Sequence, residues 1–428
     1  MIGQSTILQD SIDKVTGKAK YAGDYYLPDM LHMKLRFAER PHALIQSINL
    51  EKAHRVAGVI SIFTAQDIPY NRYGLIIEDQ PVFCDTEVRY VGDQIAAVVA
   101  ETIQQAEYAA SLIEVTYQGL PILSSPEGAL MPGAPTLHEN FPGNIAHKIH
   151  LHRGDPEAGF KTAAVVLEKE YHTPMQEHAY LEPEAGIAYL EEDGKITVRT
   201  AGQSVYDDQR QIAKALKIPI ERIRVIYGPV GGAFGGREDI SVQIVLALAA
   251  QKLGRPVKLV WNRQESILGH GKRHAMTIKH NWGADLNGKI VAAEIEILMD
   301  AGAYMYTSSS VLECLLSTCV GPYDIPNVKL DGKAVFTNNV PGAAFRGYGA
   351  PQTAFAAELQ ISQMADLLGI DPITIRERNC LQDHSLLPTQ SSLPGNSSLP
   401  ELIRSCALKS GCQKTSRGWK IPVLGDQP

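Results

Sequence analysis

Cysteine is scarce and scattered in this chain. The six residues (Cys84, Cys314, Cys319, Cys380, Cys406, Cys412) contain no C-x-x-C pair. That spacing offers neither a disulfide framework nor a self-contained iron–sulfur centre. Reduced, mostly buried thiols are expected, and any redox electrons must leave through something else. Long hydrophobic runs are missing too: Ser241 to Ala250, the most apolar stretch, falls far short of the roughly eighteen residues that a membrane span needs. The N-terminus MIGQSTILQDSIDKVTG lacks the basic region and apolar core of a signal peptide, so the cytoplasm is the expected compartment. Positive charge is in deficit, with a net charge of −7. Without a basic stripe there is no footprint for nucleic acid, and the mixed charges of the helical stretch 99–114 together with its neighbours give none for a membrane surface.

Several catalytic patterns are absent as well. The 13 histidines form no H-E-x-x-H or H-x-x-E-H, which leaves a zinc hydrolase without ligands. His172 and His178 in HTPMQEH are six apart, wrong for one helical face, and read as packing or surface residues. No G-x-S-x-G nucleophile elbow occurs.

What is present is a globular chain of 428 residues, 44% hydrophobic and 20% charged, long enough for two or three domains. The fold class expected is α+β. Residues 10–125 read as a compact α+β unit, with LHMKLRFAER and VRYVGDQIAAVVAE alternating like strands around the helical spacing of ETIQQAEYAASLIEV. A Pro/Gly-rich linker over 126–144 leads to a long α/β region, 145–385. There, DDQRQIAKALKI (207–218) reads as an amphipathic helix stopped by Pro219. In the tail, 386–428, the short helix ELIRSCALKSG precedes TSRGWKIPVLGDQP, a strand-like end expected to lack pairing partners.

Twice a strand-like run empties into a glycine-rich loop that carries a phenylalanine and opens a helix. The loops are GGAFGGRED, Gly231 to Asp239, and GAAFRGYGAPQ, Gly342 to Gln352. Such loops expose backbone N–H groups and helix N-termini to anionic, phosphate-bearing groups. The first fails the dinucleotide fingerprint G-x-G-x-x-G, and no Lys-Ser/Thr follows to make a P-loop. A structural turn is the commoner meaning of such a pattern. Glu238, read as opening the next helix, serves either as a cap or as a carboxylate that can hydrogen-bond ring nitrogens of a heterocycle. Arg237 reads as a solvated or salt-bridged partner. Arg346 is suited either to clamping phosphate or a pterin oxygen or to holding backbone carbonyls. Tyr348 either stacks on a planar substrate or packs. Gln203, at the end of GKITVRTAG, offers both donor and acceptor.

AGQS with Gln203, VGGAFGGRED with Glu238, KRHAMTIKHNWGADLNGKIVAAEIEILMDAGAY, GPYDIPN and TNNVPGAAFRGYGAPQ together resemble the molybdopterin-binding subunit of the xanthine dehydrogenase/aldehyde oxidase family. KVTGKAKYAGDYYLPDML resembles the start of that family's α/β hammerhead domain. The motifs run in the family's order from about residue 10 to residue 410. The resemblance implies a hammerhead domain followed by a mixed α/β molybdopterin-binding domain. It implies hydroxylation of an electron-poor carbon with water as oxygen source, electrons passing to iron–sulfur and flavin (FAD) sites on partner subunits. The implied cofactor is molybdenum–molybdopterin, its cytosine dinucleotide form being one option. Gln203 would sit beside the metal on the apical oxo group; Gly232, Phe234, Gly235 and Arg346 would line the cofactor; Glu238 and Tyr348 would face the substrate. Glu238 points to a purine or pyridine-type heterocycle, while Cys314 stands where purine-directed relatives tend to carry arginine. Family subunits are typically nearly twice this long, and the second half carries the catalytic base. Two readings follow: a naturally split subunit whose second molybdopterin-binding polypeptide supplies the base, or a truncated, non-catalytic remnant or assembly protein.

Overall fold

The computed structural model describes residues 2–422. Two sheets organise the chain. The larger has seven strands in the order Ile223–Tyr227, Ile196–Thr200, Ala185–Leu190, Val257–Val260, Leu31–Phe37, Gln94–Ala100, Val59–Phe63. It joins strands far apart in sequence: Leu31 pairs in parallel with Val257, and Met33 with Leu259. The strand Gln94–Ala100 is buried at all but its first residue, so it does not alternate as its sequence suggested. It lies between two others, with core on both faces. A separate three-stranded sheet, Glu87–Val88, Ala43–Asn49 and Glu114–Gly119, completes the N-terminal part.

The helix Gln243–Leu253 lies on the large sheet, against Ala185–Leu190 and the helix Val205–Leu216. It is buried on every side from Gln243 to Ala250, as the unbroken apolar run QIVLALAA requires. The helix Val205–Leu216 ends at Lys217 in a left-handed conformation, two residues before Pro219, so a backbone reversal and not the proline stops it.

The second sheet has five strands in the order Ile145–Arg153, Val328–Phe336, Ile290–Gly302, Met276–Ala284, Val165–Thr173. The helix Ala350–Leu368 packs on its Met276–Ala284 side and the helix Ser308–Thr318 on its Ile145–Arg153 side. Gln360 pins the longer helix by accepting from the Tyr171 hydroxyl and donating to the Leu167 carbonyl, both at 2.7 Å.

The tail differs from expectation. Gln413–Thr415 pairs with Gly418–Lys420 in a hairpin. Its Trp419 packs with Ala407, Cys412 and Ile373 and donates its backbone N–H to Asp371 at 3.0 Å. The strand-like segment therefore finds its partner within itself and docks on the helix Pro372–Asn379; residues 423–428 lie outside the described residues. All six cysteines are free thiols, four of them buried. Among the described residues, no helix is long and apolar enough to cross a membrane.

Candidate active site

Each sheet contributes one glycine-rich loop, and the two loops touch. Loop 231–239 follows the strand Ile223–Tyr227, and loop 342–349 follows the strand Val328–Phe336. The Arg346 N–H donates to the Phe234 carbonyl at 2.7 Å. Gly235 lies against the Ala344 carbonyl so closely that a Cβ on it would come within 2.8 Å of that oxygen. Phe234 (φ 53°) and Tyr348 (φ 51°) both hold the left-handed conformation beside glycines at positive φ. A non-glycine aromatic adopts that region only when its surroundings over-determine it.

Between the loops lies a cavity of about 290 Å³, lined among others by Gln203, Phe234, Gly235, Glu238, Arg346 and Tyr348. These are all of the residues expected at a site except Gly232. Gly232 stands behind the loop at φ 104°, a Cβ there would meet Tyr180 at 2.7 Å, and its carbonyl accepts from Arg237 Nε at 3.0 Å. Cys314 lies on the helix Ser308–Thr318 and does not line the cavity.

The donors facing the cavity are not the expected ones. The helix after the first loop begins only at Gln243, so Glu238 sits in the turn before it and caps nothing. Gln243 itself accepts from the N–H groups of Ser241 and Val242, both at 2.8 Å. Within the loop, the Gly236 and Glu238 N–H groups close turns onto Ala233 and Gly235, and those of Gly235 and Arg237 donate to Gln203 Oε1 at 3.1 and 3.3 Å. The compact turn that brings the loops together consumes these N–H groups. With its Oε1 so engaged, Gln203 is oriented with its amide NH2 as a free donor. The exposed Arg346 makes no ion pair among the described residues, so its guanidinium is a second. Free donors, a glycine wall that a Cβ would fill and two flanking aromatic rings suit a planar, anionic, oxygen-rich group.

Glu238 is half-buried, and loss of hydration raises its pKa above the usual carboxylate value. Tyr348 is raised by burial and by the nearby Glu238 charge. Asp239, next in the chain, has its Oδ2 shut off from water without a hydrogen-bond partner. Burial, then the charges of Glu238 and Asp208, push its pKa up to about 8. The folded state therefore keeps a proton that the unfolded chain loses near pH 4, and stability falls as pH rises from about 4 to about 8. Asp239→Asn removes that loss, so its stability relative to the parent chain should grow steadily between pH 5 and 8 in urea titrations. A pH-independent difference would refute the assignment.

Sequence reasoning missed the layer beneath. Arg237 realises the salt-bridged alternative and not the solvated one: it is buried, lies 3.9 Å from the Glu182 carboxylate, donates to the carbonyls of Gly232 and Glu182 and stacks over the Tyr180 ring at 4.4 Å. The Glu182 carboxylate accepts from Gly231 N–H at 2.7 Å and Ala22 N–H at 3.2 Å, which fixes the loop's first residue. Charge-assisted hydrogen bonds of this kind contribute roughly 1.5–3 kcal/mol, so Arg237→Met should lower the urea-unfolding free energy by about 2 kcal/mol. His178 stacks on Phe345 (4.2 Å, 15°) and bonds the Ala344 carbonyl at 2.8 Å. Burial pushes its pKa down to about 4, which keeps the ring neutral. His270 and Lys272 continue this layer through Glu177. Two glycines hinted at such partners, since a Cβ at Gly236 would meet the His178 ring at 3.0 Å and one at Gly342 the His274 ring at 2.2 Å.

Comparison with known proteins gives concordant matches. Residues 137–380 match the model of a molybdopterin cofactor-binding domain, and residues 16–121 that of the aldehyde oxidase and xanthine dehydrogenase a/b hammerhead domain. The α+β arrangement is thus a hammerhead segment followed by a molybdopterin-binding segment. A probable xanthine dehydrogenase subunit of Bacillus subtilis is 41% identical over 96% of this chain and 55% of its own length. The nicotinate dehydrogenase large molybdopterin subunit of Eubacterium barkeri is 38% identical over 91% of both chains. The chain spans about half the length of the first of these relatives and nearly all of the second. Among solved structures, the aldehyde oxidoreductase of Desulfovibrio gigas superposes with a TM-score of 0.91 at 30% identity, over 94% of this chain and 46% of that one. Quinoline 2-oxidoreductase of Pseudomonas putida gives 0.88 at 26% identity, over 96% and 54%.

Proposed function

This chain belongs to the xanthine dehydrogenase/aldehyde oxidase family of molybdopterin-binding proteins, and on that premise we propose that it forms part of a molybdenum hydroxylase acting on an N-heterocycle. The observation that carries the proposal is the convergence of Gln203, Glu238, Arg346 and Tyr348 on one cavity with two donor groups left free. The molybdenum–pterin group, when bound there, supplies the oxygen-transfer and two-electron chemistry. The chain's own residues hold it and the substrate. The Gln203 amide NH2 would donate to an oxygen of the bound group, its orientation set by the two backbone N–H groups on its own oxygen. Arg346 would neutralise an anionic part of that group, and the bare edge of Gly235 would allow it close approach.

Glu238 and Tyr348 belong to the substrate side. A half-buried carboxylate accepts from a ring N–H or, when protonated, donates to a ring nitrogen; a simple aldehyde offers no matching N–H. That favours a purine or pyridine-type ring. The names of two similar proteins, nicotinate dehydrogenase and quinoline 2-oxidoreductase, point to the same class of ring.

The remaining parts are supplied by partners in this proposal. Phe234, which lines the cavity, is 46% exposed. An apolar ring left open at a reaction cavity fits a covering surface from a second molybdopterin-binding polypeptide that carries the catalytic base. Iron–sulfur and flavin subunits then take the electrons, and water supplies the oxygen. The test is the molybdenum and pterin content of the chain purified alone and after co-expression with its genomic neighbours. Metal near one per complex only with a partner is the expected outcome. No metal under either condition would mean an accessory protein.

A further inference from the structure

Beneath the second loop, three hydrogen-bond acceptors converge with no hydrogen to share. His178 and His270 are 6% and 4% exposed, and burial holds both rings below the usual histidine pKa, so they are neutral. Each has one ring nitrogen on a backbone carbonyl: His178 Nε2 on Ala344 at 2.8 Å, and His270 Nδ1 on Ser266 at 2.5 Å. A nitrogen that close to a carbonyl oxygen carries the ring proton, because two acceptors repel at such distances. Lys272 Nζ stands 3.4 Å from the same His270 nitrogen, but its short contacts are the His270 carbonyl and Glu177 Oε2, both at 2.7 Å. The remaining nitrogens, His178 Nδ1 and His270 Nε2, are therefore both acceptors, and they face each other at 3.3 Å. Glu177 Oε1, the third acceptor, lies 3.3 Å from His270 Nε2.

The cluster has the dimensions of a metal site. A tetrahedral ion with bonds of about 2.0–2.1 Å holds its ligand atoms about 3.3 Å apart, which is the spacing of both pairs. The ligand atoms of the three residues all lie within 4.8 Å of one another, and the partly exposed Glu177 side chain has room to close the longer edge. Histidines that ligate a metal ordinarily give their other N–H to a carbonyl or carboxylate, and both do so here. Charge leans the same way. The carboxylates of Glu177 and Glu184 flank His270 against the ammonium of Lys272, and Glu184 Oε2 is shut off from water without a partner.

We propose that Glu177, His178 and His270 bind one divalent ion of the zinc class, with water as its fourth ligand. Two imidazoles and one carboxylate select such an ion over calcium or magnesium, which take oxygen ligands. Glu177, the ligand that solvent reaches, is where the ion enters. None of the three residues lines the cavity between the loops, so the site is separate from the one that holds the pterin. It bears on the second loop all the same. The ion ties residues 177 and 178 to the end of the helix Arg263–Gly269, and through His178 it steadies the Ala344 carbonyl and the Phe345 ring.

The test uses the full chain, stripped with a chelator and titrated at pH 8 with ZnCl2 in competition with a chromophoric chelator, then with CoCl2 by visible absorption. The expected result is about one equivalent of Zn2+ per chain, a rise in Tm with it, and the intense visible bands of four-coordinate cobalt without thiolate charge transfer. Glu177→Gln removes the most exposed ligand, so it disturbs folding least, and it should weaken Zn2+ binding at least about tenfold. His270→Gln should abolish it. His150→Gln, at an exposed pair with Asp331, should change nothing. No uptake at pH 8 would mean that a proton shared by the two rings fills the gap, and would overturn the proposal. So would a Zn2+ affinity unchanged in Glu177→Gln, even if His270→Gln failed to fold.

Discussion

Replacing Glu238 by alanine is expected to lower kcat/KM toward N-heterocycles by about 10- to 100-fold while leaving molybdenum and pterin content unchanged. The magnitude follows from losing one charge-assisted hydrogen bond, roughly 1.5–3 kcal/mol, where every 1.4 kcal/mol or so is tenfold. The separation of the two readouts follows from position. The Glu238 side chain lines the cavity but takes no part in the backbone bond from Arg346 N–H to the Phe234 carbonyl that joins the loops, nor in the bonds of Gly235 and Arg237 N–H to Gln203 Oε1 that shape the first. Glu238→Gln keeps a hydrogen-bonding side chain of the same length and should recover part of the loss. The assay is steady-state kinetics on purines and nicotinate with the assembled complex. Unchanged kinetics on every heterocycle tried would remove Glu238 from the substrate side.

The opposite split is expected at Gly235. Alanine there must hold a φ near 101° and place its Cβ within 2.8 Å of the Ala344 carbonyl oxygen. A residue forced into such a conformation costs of order 1–3 kcal/mol, and the clash is with backbone, which cannot swing aside as a side-chain tip can. The loops must separate, moving Gln203, whose oxygen accepts the Gly235 N–H, together with Arg346. Cofactor content should then fall by an order of magnitude or so, with any residual activity proportional to residual metal. Gly23→Ala is the control, since its Cβ would find nothing nearer than 3.8 Å. Equal cofactor content in the two variants would show that close contact of the loops is not needed for binding.

The site was legible in the chain to the extent that it is local. The two loops announce themselves through clustered glycines beside a phenylalanine, and Gln203 through its place just after a strand. What lay hidden depends on residues far apart in sequence. His178 meets Ala344 across 166 positions, and Arg273 meets Arg346 across 73. A lone buried histidine or arginine carries no local pattern, since burial is decided by the second sheet. The helix start was misplaced because ISVQIV is apolar enough to read as helix, while Gln243 folds back over the N–H groups of Ser241 and Val242 and delays the first turn. The tail misled for a related reason: the hairpin that Trp419 anchors is only three residues per strand, too short for alternation to register.

The parallel pairing of Leu31–Phe37 with Val257–Val260 bears on how the molecule is made. During synthesis, the first strand leaves the ribosome with its Gln94–Ala100 neighbour soon available, but its other edge stays open until residue 260 has emerged. An unpaired edge in the middle of an apolar sheet is a template for wrong partners, and closing a loop of more than two hundred residues is entropically slow. Early fragments ending before residue 257 should accordingly aggregate. Co-expressed chaperones that shield this one strand until its partner arrives are expected to raise the soluble fraction of the full chain.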